Sequence, residues 1–196
     1  NWMSRIQMFV VAGVLSLFAA TLSAKVDTSK ADVAIYQQPV TTKHTVSIGG
    51  ASVSYEATAG HLTLTKEDGT VRAKVFFVAY VKTGTSDPGK RPLTFSFNGG
   101  PGSSSVWLHL GVLGPRRVKM NDDGTTLPPP FQLEDNDQSW LDLTDMVFID
   151  PIGTGFSRVV GTGEGKEYWG IDEDAASLEQ FVTRYVTRNK RWNSPK

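Results

Sequence analysis

The chain has 196 residues, 39% of them hydrophobic, which is enough to bury a core of ordinary size. Basic and acidic residues number 20 each, so charge gives no reason to expect nucleic acid as a partner. The absence of cysteine excludes disulfides and thiolate metal sites, and the three histidines, His44, His61 and His109, lack the spacing of metal ligands. We therefore expect neither a metal nor another cofactor.

The first residues have the pattern of an export signal. Arg5 precedes an apolar run, Met8 to Ala20, and Leu22-Ser23-Ala24 provides a small-residue cleavage site. The run is shorter than the roughly 20 apolar residues of a membrane span. We expect residues 3–24 to be a signal peptide, with an uncleaved anchor as the alternative, and residues 25–44 to be a linker or lead-in. Export without cysteine favours a secreted or periplasmic protein of bacterial type, with no stable membrane insertion once the signal is cleaved.

From residue 45 the pattern is typical of β-structure. Residues 45–48 and 52–57 flank Gly49-Gly50 and predict a hairpin, and residues 61–65 predict a further strand. Between Val71 and Lys82, apolar residues alternate with a period of two, which indicates a half-buried strand. These antiparallel hairpins are expected to lead into a mostly parallel sheet flanked by helices, the α/β class, over residues 45–196.

A glycine-rich loop, Asn98 to Ser105, follows the predicted strand 92–97 and precedes a predicted helix that begins near Val106. Glycines allow the backbone to approach a ligand closely, and the serines suit a helix N-terminus, where N–H groups favour negative charge. Such a loop binds phosphate or stabilises an oxyanion, although a sharp surface turn is the alternative. Because no Lys follows the glycines, as a phosphate-binding P-loop requires, the oxyanion loop of an α/β-hydrolase fits better.

The predicted strand 146–149 ends in Asp150, at the edge of the sheet where ligands of open α/β sheets bind. Asp150 is either a buried catalytic acid or, as we favour, a carboxylate that fixes the following turn by accepting backbone N–H bonds. Just before this strand, Trp140 and Leu141 are expected to pack on the sheet. Helical spacing then predicts a long amphipathic helix over residues 171–191.

The segment Phe95-Ser96-Phe97-Asn98-Gly99-Gly100-Pro101-Gly102-Ser103-Ser104 resembles the signature loop of the serine carboxypeptidases. Leu113-Gly114-Pro115, Ser139-Trp140 and the run Met146 to Ser157 match the same family in the same order. The resemblance covers residues 70 to 190 and implies an α/β-hydrolase fold. It also implies a serine exopeptidase that acts on peptides with a free C-terminal carboxylate through a Ser-His-Asp triad. Another α/β-hydrolase such as an esterase, or a non-catalytic peptide-binding remnant, stays open.

By the same resemblance, the Gly100 N–H donates to the oxyanion, while Asn98 and Gly99 bind the substrate carboxylate. No Gly-x-Ser triplet of the chain has glycine two residues later, so the nucleophile elbow of the family is missing. We therefore expect an N-terminal fragment that is inactive alone, with the Ser, Asp and His of the triad lying beyond Lys196.

Three other observations bear on this resemblance. His109 comes too early in the chain to be the catalytic histidine, which follows the nucleophile and the acid in this fold. Two departures from the family stand out: Ser96 replaces a frequent Trp, and Ser103 replaces a frequent Cys.

Overall fold

The computed structural model of the chain describes residues 38–99, 102–161 and 164–196. The expected signal peptide, residues 3–24, therefore lies outside the described residues, as do most of the expected lead-in and Gly100. Within the described ranges, no helix is long and apolar enough to cross a membrane.

The described residues form a mixed sheet with helical segments on it. The strands are β1 (Val40–Ile48), β2 (Ala51–Thr65), β3 (Val71–Lys82), β4 (Leu93–Ser96), β5 (Arg116–Val118), β6 (Leu133–Asp135), β7 (Asp145–Ile149) and β8 (Arg158–Val159). The helical segments are α1 (Val106–Leu108), a π-helical turn (His109–Leu113), two 3₁₀ turns (Trp140–Asp142 and Gly165–Tyr168) and α2 (Ile171–Arg188).

Strands β1, β2 and β3 form an antiparallel meander, and the predicted Gly49-Gly50 turn joins the first two. Both glycines have positive φ, 56° and 80°, which explains their place in so tight a turn. The boundaries differ from the prediction, because β1 begins at Val40 inside the expected lead-in and β2 runs unbroken through Gly60. A Cβ at Gly60 would lie 2.7 Å from Pro39, so this glycine makes room for the neighbouring chain rather than ending the strand.

The sheet order is β1-β2-β3-β7-β4, with β8 also paired to β3. Strand β7 is antiparallel to β3 and parallel to β4, so the predicted change from antiparallel hairpins to parallel pairing occurs at β7. All five residues of β7 are buried, as predicted for a strand covered on both faces. The two-stranded hairpin β5–β6 lies outside this sheet.

One hydrophobic cluster lies on each face of the sheet. The predicted amphipathic helix is confirmed as α2, whose Phe181 and Tyr185 pack in T-shaped contacts on Phe77 of β3. The opposite face is covered by residues 106–113 and by Leu141. Leu141 is fully buried as expected, but the expectation for Trp140 is wrong, since this side chain is 48% exposed: the 3₁₀ turn directs only Leu141 to the core.

The last residues of the chain close against the sheet edge. The Pro195 carbonyl accepts a 2.9 Å hydrogen bond from the N–H of Leu93 in β4. Lys196 is exposed, and its Nζ donates to the carbonyls of Trp192 and Ser194. The expected place of the triad, beyond Lys196, therefore lies outside this structure, and that expectation stays a prediction.

Candidate active site

An open cleft of about 850 Å³ lies where β4 and β7 end. The glycine-rich loop forms one wall through Asn98, Gly99 and Ser103, and the loop after β7 forms a second through residues 151–154. The third wall is the start of α2 with the 3₁₀ turn before it. Since this is the carboxyl end of the parallel pair, the cleft has the position that ligand sites occupy in α/β sheets.

Asp150 ties the two loops together. Its Oδ1 accepts a 2.9 Å hydrogen bond from the N–H of Ser105, and its Oδ2 accepts a 3.1 Å bond from the N–H of Phe156. The side chain of Ser105 in turn donates to the carbonyl of Ile149 at the end of β7. The predicted turn-fixing role of Asp150 is confirmed, and the structure adds the second loop. The Asp150 carboxylate therefore supplies the negative charge that is favoured at the start of the helix beginning at Val106.

Gly155 allows Asp150 to take this position. It has φ of +45°, and a Cβ there would collide with the Asp150 carboxylate and lie 2.9 Å from the Cβ of Ser104. On the other side of the loop, the Ser157 hydroxyl donates to the Asp150 carbonyl at 2.6 Å and accepts from the N–H of Phe76 at 2.8 Å. The loop after β7 is therefore held by hydrogen bonds to β3 on one side and to the end of the glycine-rich loop on the other.

Asn98 is half-buried, and its Oδ1 accepts a long hydrogen bond of 3.4 Å from the N–H of Leu108. Neighbouring Gly99 is exposed on the cleft. Two residues before Asn98, the Ser96 side chain is only 7% exposed, and its hydroxyl has no hydrogen-bond partner among the described residues. The family's frequent Trp is thus replaced by a small polar group on the inner side of the strand.

The helix that follows the loop begins at Val106 as predicted but is α-helical for only three residues before it widens into the π-helical turn. The turn's last carbonyls are satisfied by side chains: Asn136 Nδ2 donates to Val112 and Gly114 at 2.8 Å each, and Ser139 Oγ donates to Leu113 at 2.8 Å. No local signal in the sequence pointed to Asn136, because its partners lie 22 and 24 residues away.

His109 lies on this turn and faces the sheet. Its Nε2 is hydrogen-bonded to the Tyr80 hydroxyl, and its ring stacks on Phe148 with centroids 4.7 Å apart. Burial lowers the pKa of His109 to about 4, although the charge of Asp150 acts in the opposite direction. The other two histidines also bond on the sheet, His44 to Thr42 and His61 to the Phe156 carbonyl. Nowhere in the described ranges do three His, Cys, Asp or Glu side chains form a metal-binding group.

Comparison of the sequence with models of known protein families identifies the family of this chain. The family model described as serine carboxypeptidase matches residues 49–195. The chain belongs to the serine carboxypeptidase family. The match begins in the β1–β2 turn and includes both cleft loops, so the resemblance inferred from the two glycine-rich motifs is confirmed. The α/β-hydrolase fold is confirmed as well, because a solved carboxypeptidase structure of this fold matches the chain.

Individual relatives agree with this assignment. The chain is 38% identical over 134 residues to the pheromone-processing carboxypeptidase KEX1 of Saccharomyces cerevisiae, covering 65% of this chain and 17% of the yeast protein. It is 34% identical over 139 residues to serine carboxypeptidase-like 36 of Arabidopsis thaliana, covering 70% and 26%. The crystal structure of yeast KEX1(delta)p, a prohormone-processing carboxypeptidase, matches with a TM-score of 0.51 and 31% identity, covering 68% of this chain and 28% of that one. The chain thus spans less than a third of each of these relatives.

Proposed function

We propose that the protein to which this chain contributes is a serine-type carboxypeptidase that releases residues from the C-termini of peptides. The observation that carries the proposal is the cleft at the ends of β4 and β7, lined by Asn98 and Gly99 in a chain of the serine carboxypeptidase family. The catalytic Ser, His and Asp are proposed to come from segments beyond Lys196, which these 196 residues do not include. By itself, the chain is proposed to lack hydrolytic activity.

Within this proposal, Gly100 donates its N–H to the oxyanion of the tetrahedral intermediate. Gly100 lies outside the described residues, and the support comes from its neighbours: Gly99 lines the cleft, while Ser105 is fixed by Asp150. One oxyanion donor contributes about 10²–10³ in rate. Such a donor must be held in place before the reaction, and the bond of Asp150 to Ser105 provides a support that does not depend on substrate.

Asn98 and Gly99 are proposed to bind the terminal carboxylate of the peptide. The long bond from Leu108 to Asn98 Oδ1 leaves the amide Nδ2 of Asn98 available as a donor to the cleft. An internal peptide bond offers no carboxylate there, so its binding would leave desolvated donors unpaired, which opposes endopeptidase action. We further propose export from the cell, supported by the apolar run Met8 to Ala20, which lies outside the described residues.

The test uses the longer protein and a matched pair of blocked dipeptides, one with a free C-terminus and one amidated. A carboxypeptidase cleaves the free acid only, and Asn98→Ala is expected to lower kcat/KM for the acid about 10- to 100-fold, because it removes a hydrogen bond to a charged group. Asn121→Ala, in the exposed turn after β5, is the control and is expected to leave kcat/KM unchanged.

Two results would overturn the proposal. Equal turnover of acid and amide, or hydrolysis of simple esters alone, would indicate a general hydrolase of the same fold. Binding of the free acid without turnover by the longer protein would indicate a non-catalytic peptide-binding protein.

A further inference from the structure

We propose that the hydrogen bond between Tyr80 and His109 is a latch that positions residues 106–113, and through them Asn98 and Ser105 at the cleft. Tyr80 lies on β3 in the middle of the sheet, whereas His109 lies on the turn that follows the glycine-rich loop. The importance of the latch for substrate binding rests on the proposed function. The latch itself concerns only the positions of residues in this chain.

His109 is connected to the cleft by two short routes. Its own N–H donates to the carbonyl of Ser105 at 2.8 Å, and the N–H of Ser105 is bound by Asp150. The residue before it, Leu108, donates its N–H to the side chain of Asn98. A displacement of His109 away from the sheet therefore moves the end of the glycine-rich loop and the partner of the proposed carboxylate-binding residue together.

The segment 106–113 has few other contacts that could hold it. Three of its apolar side chains, Val106, Trp107 and Val112, are 44%, 70% and 55% exposed. Leu108 and Leu113 reach the cluster under the segment, but both are only partly buried. Because a region with few buried apolar contacts opens easily, a part-buried polar contact in its middle has a large share in holding it.

The two ends of the segment are fixed independently of the latch. Asp150 holds Ser105 at the start, and Asn136 and Ser139 hold the carbonyls at the end. Gly114 completes the end, because a Cβ there would collide with the carbonyl of His109 and lie 3.2 Å from its ring. Between these two fixed ends, the hydrogen bond of the Tyr80 hydroxyl to His109 attaches the segment to the sheet.

The surroundings of His109 keep both partners of the latch uncharged. It faces Tyr80 from β3 and Phe148 from β7, with Asp150 as the nearby charge and Tyr55 behind Tyr80. Burial lowers the pKa of His109 to about 4 and raises that of Tyr80, so near pH 7 the imidazole is neutral and the phenol keeps its proton. In the latch, the Tyr80 O–H donates to Nε2 when the imidazole proton is on Nδ1, and the Nε2–H donates to the phenol oxygen when that proton is on Nε2.

The experiment uses the 196-residue chain and amide hydrogen exchange measured by NMR. Tyr80→Phe, which keeps the ring and removes only the hydroxyl, is expected to speed exchange at the Leu108 and His109 amides at least tenfold. His109→Leu is expected to do the same. His109→Gln supplies an amide oxygen near the position of Nε2 and is expected to restore exchange to within about twofold of the starting chain. Tyr55→Phe, in the same aromatic cluster, is the control and is expected to change nothing.

If Tyr80 and His109 held the segment by packing alone, Tyr80→Phe would leave the amide exchange rates unchanged. That result would overturn the proposal even if His109→Leu failed to fold. The exchange measurement involves no peptide, so it stands whether or not the protein is a carboxypeptidase. In the longer protein, Tyr80→Phe is expected to lower kcat/KM for the free-acid dipeptide at least threefold, and His109→Gln is expected to retain it.

Discussion

Replacing Asp150 by asparagine is expected to loosen both walls of the cleft with almost no change in side-chain size. The carboxylate accepts one hydrogen bond from each loop, at Ser105 and Phe156. A carboxamide has a single acceptor oxygen, so it can serve only one of the two N–H groups. Its NH₂ group then faces the other, so either the N–H of Ser105, whose bond is buried, or that of Phe156, whose bond is part-buried, loses its partner. The side chain is 7% exposed, so water cannot easily replace that partner.

The magnitude follows from these two bonds. A hydrogen bond to a charged group contributes about 1.5–3 kcal/mol, and an unsatisfied buried donor costs about 1–3 kcal/mol. We expect Asp150→Asn to lower the free energy of unfolding by about 3 kcal/mol. With a urea m-value of about 2 kcal/mol/M, the midpoint of unfolding would fall by roughly 1.5 M.

Urea titration followed by circular dichroism measures this change, with Asp142→Asn as the control. Asp142 is exposed in the 3₁₀ turn before β7, where its carbonyl rather than its carboxylate binds Arg91, so its replacement is expected to shift unfolding by less than about 0.5 kcal/mol. Gly155→Ala displaces the Asp150 carboxylate, so the two changes combined should cost less than their sum. A loss under about 1 kcal/mol for Asp150→Asn would refute the reasoning.

Three further predictions use the same titration. Asp145→Asn is expected to cost about 3–5 kcal/mol, because the fully buried carboxylate pairs with Arg91 and Arg191 at 2.9 and 2.7 Å; a loss below about 1 kcal/mol would contradict it. Ser96→Ala removes a buried hydroxyl without a partner among the described residues and is expected to change stability by under about 1 kcal/mol, whereas a larger loss would reveal a hydrogen bond. As the pH falls, the His109 imidazole is protonated in the unfolded chain before it is protonated in the folded chain, where its pKa is about 4. The free energy of unfolding should therefore fall by up to about 3 kcal/mol between pH 6.5 and pH 4, and His109→Gln should lack this pH dependence.

Local patterns predicted the elements of this fold well. The Gly49-Gly50 turn, the buried strand β7 and the amphipathic α2 each follow from neighbouring residues in the sequence. The insertion of β7 between β3 and β4 has no such local signal, because sheet order depends on where distant strands pair. The β1 boundary was missed for a similar reason: Val40 pairs with Ala59 along a polar stretch whose pattern resembles a linker.

At the cleft too, contacts between residues close in the sequence were predicted, whereas contacts between distant residues were not. The bond of Asp150 to Phe156 spans six residues and follows from the turn after the strand. Its bond to Ser105 spans 45 residues and follows only from the parallel pairing of β4 and β7, which brings the ends of the two strands together. The Tyr80–His109 contact depends in the same way on β3 lying beside β7.

Strand β7 carries a carboxylate at each end, and the two fix different parts of the molecule. Asp145, its first residue, binds Arg191, and Pro195 nearby accepts the N–H of Leu93, so this end attaches the C-terminal segment to the edge strand β4. Asp150, directly after its last residue, attaches the two cleft loops. Loss of either charge should therefore lower global stability, but only Asp150→Asn should speed local exchange at the Ser105 amide. Equal acceleration at Ser105 in Asp145→Asn, measured well below the unfolding midpoint, would mean that the two ends of the strand open as one unit.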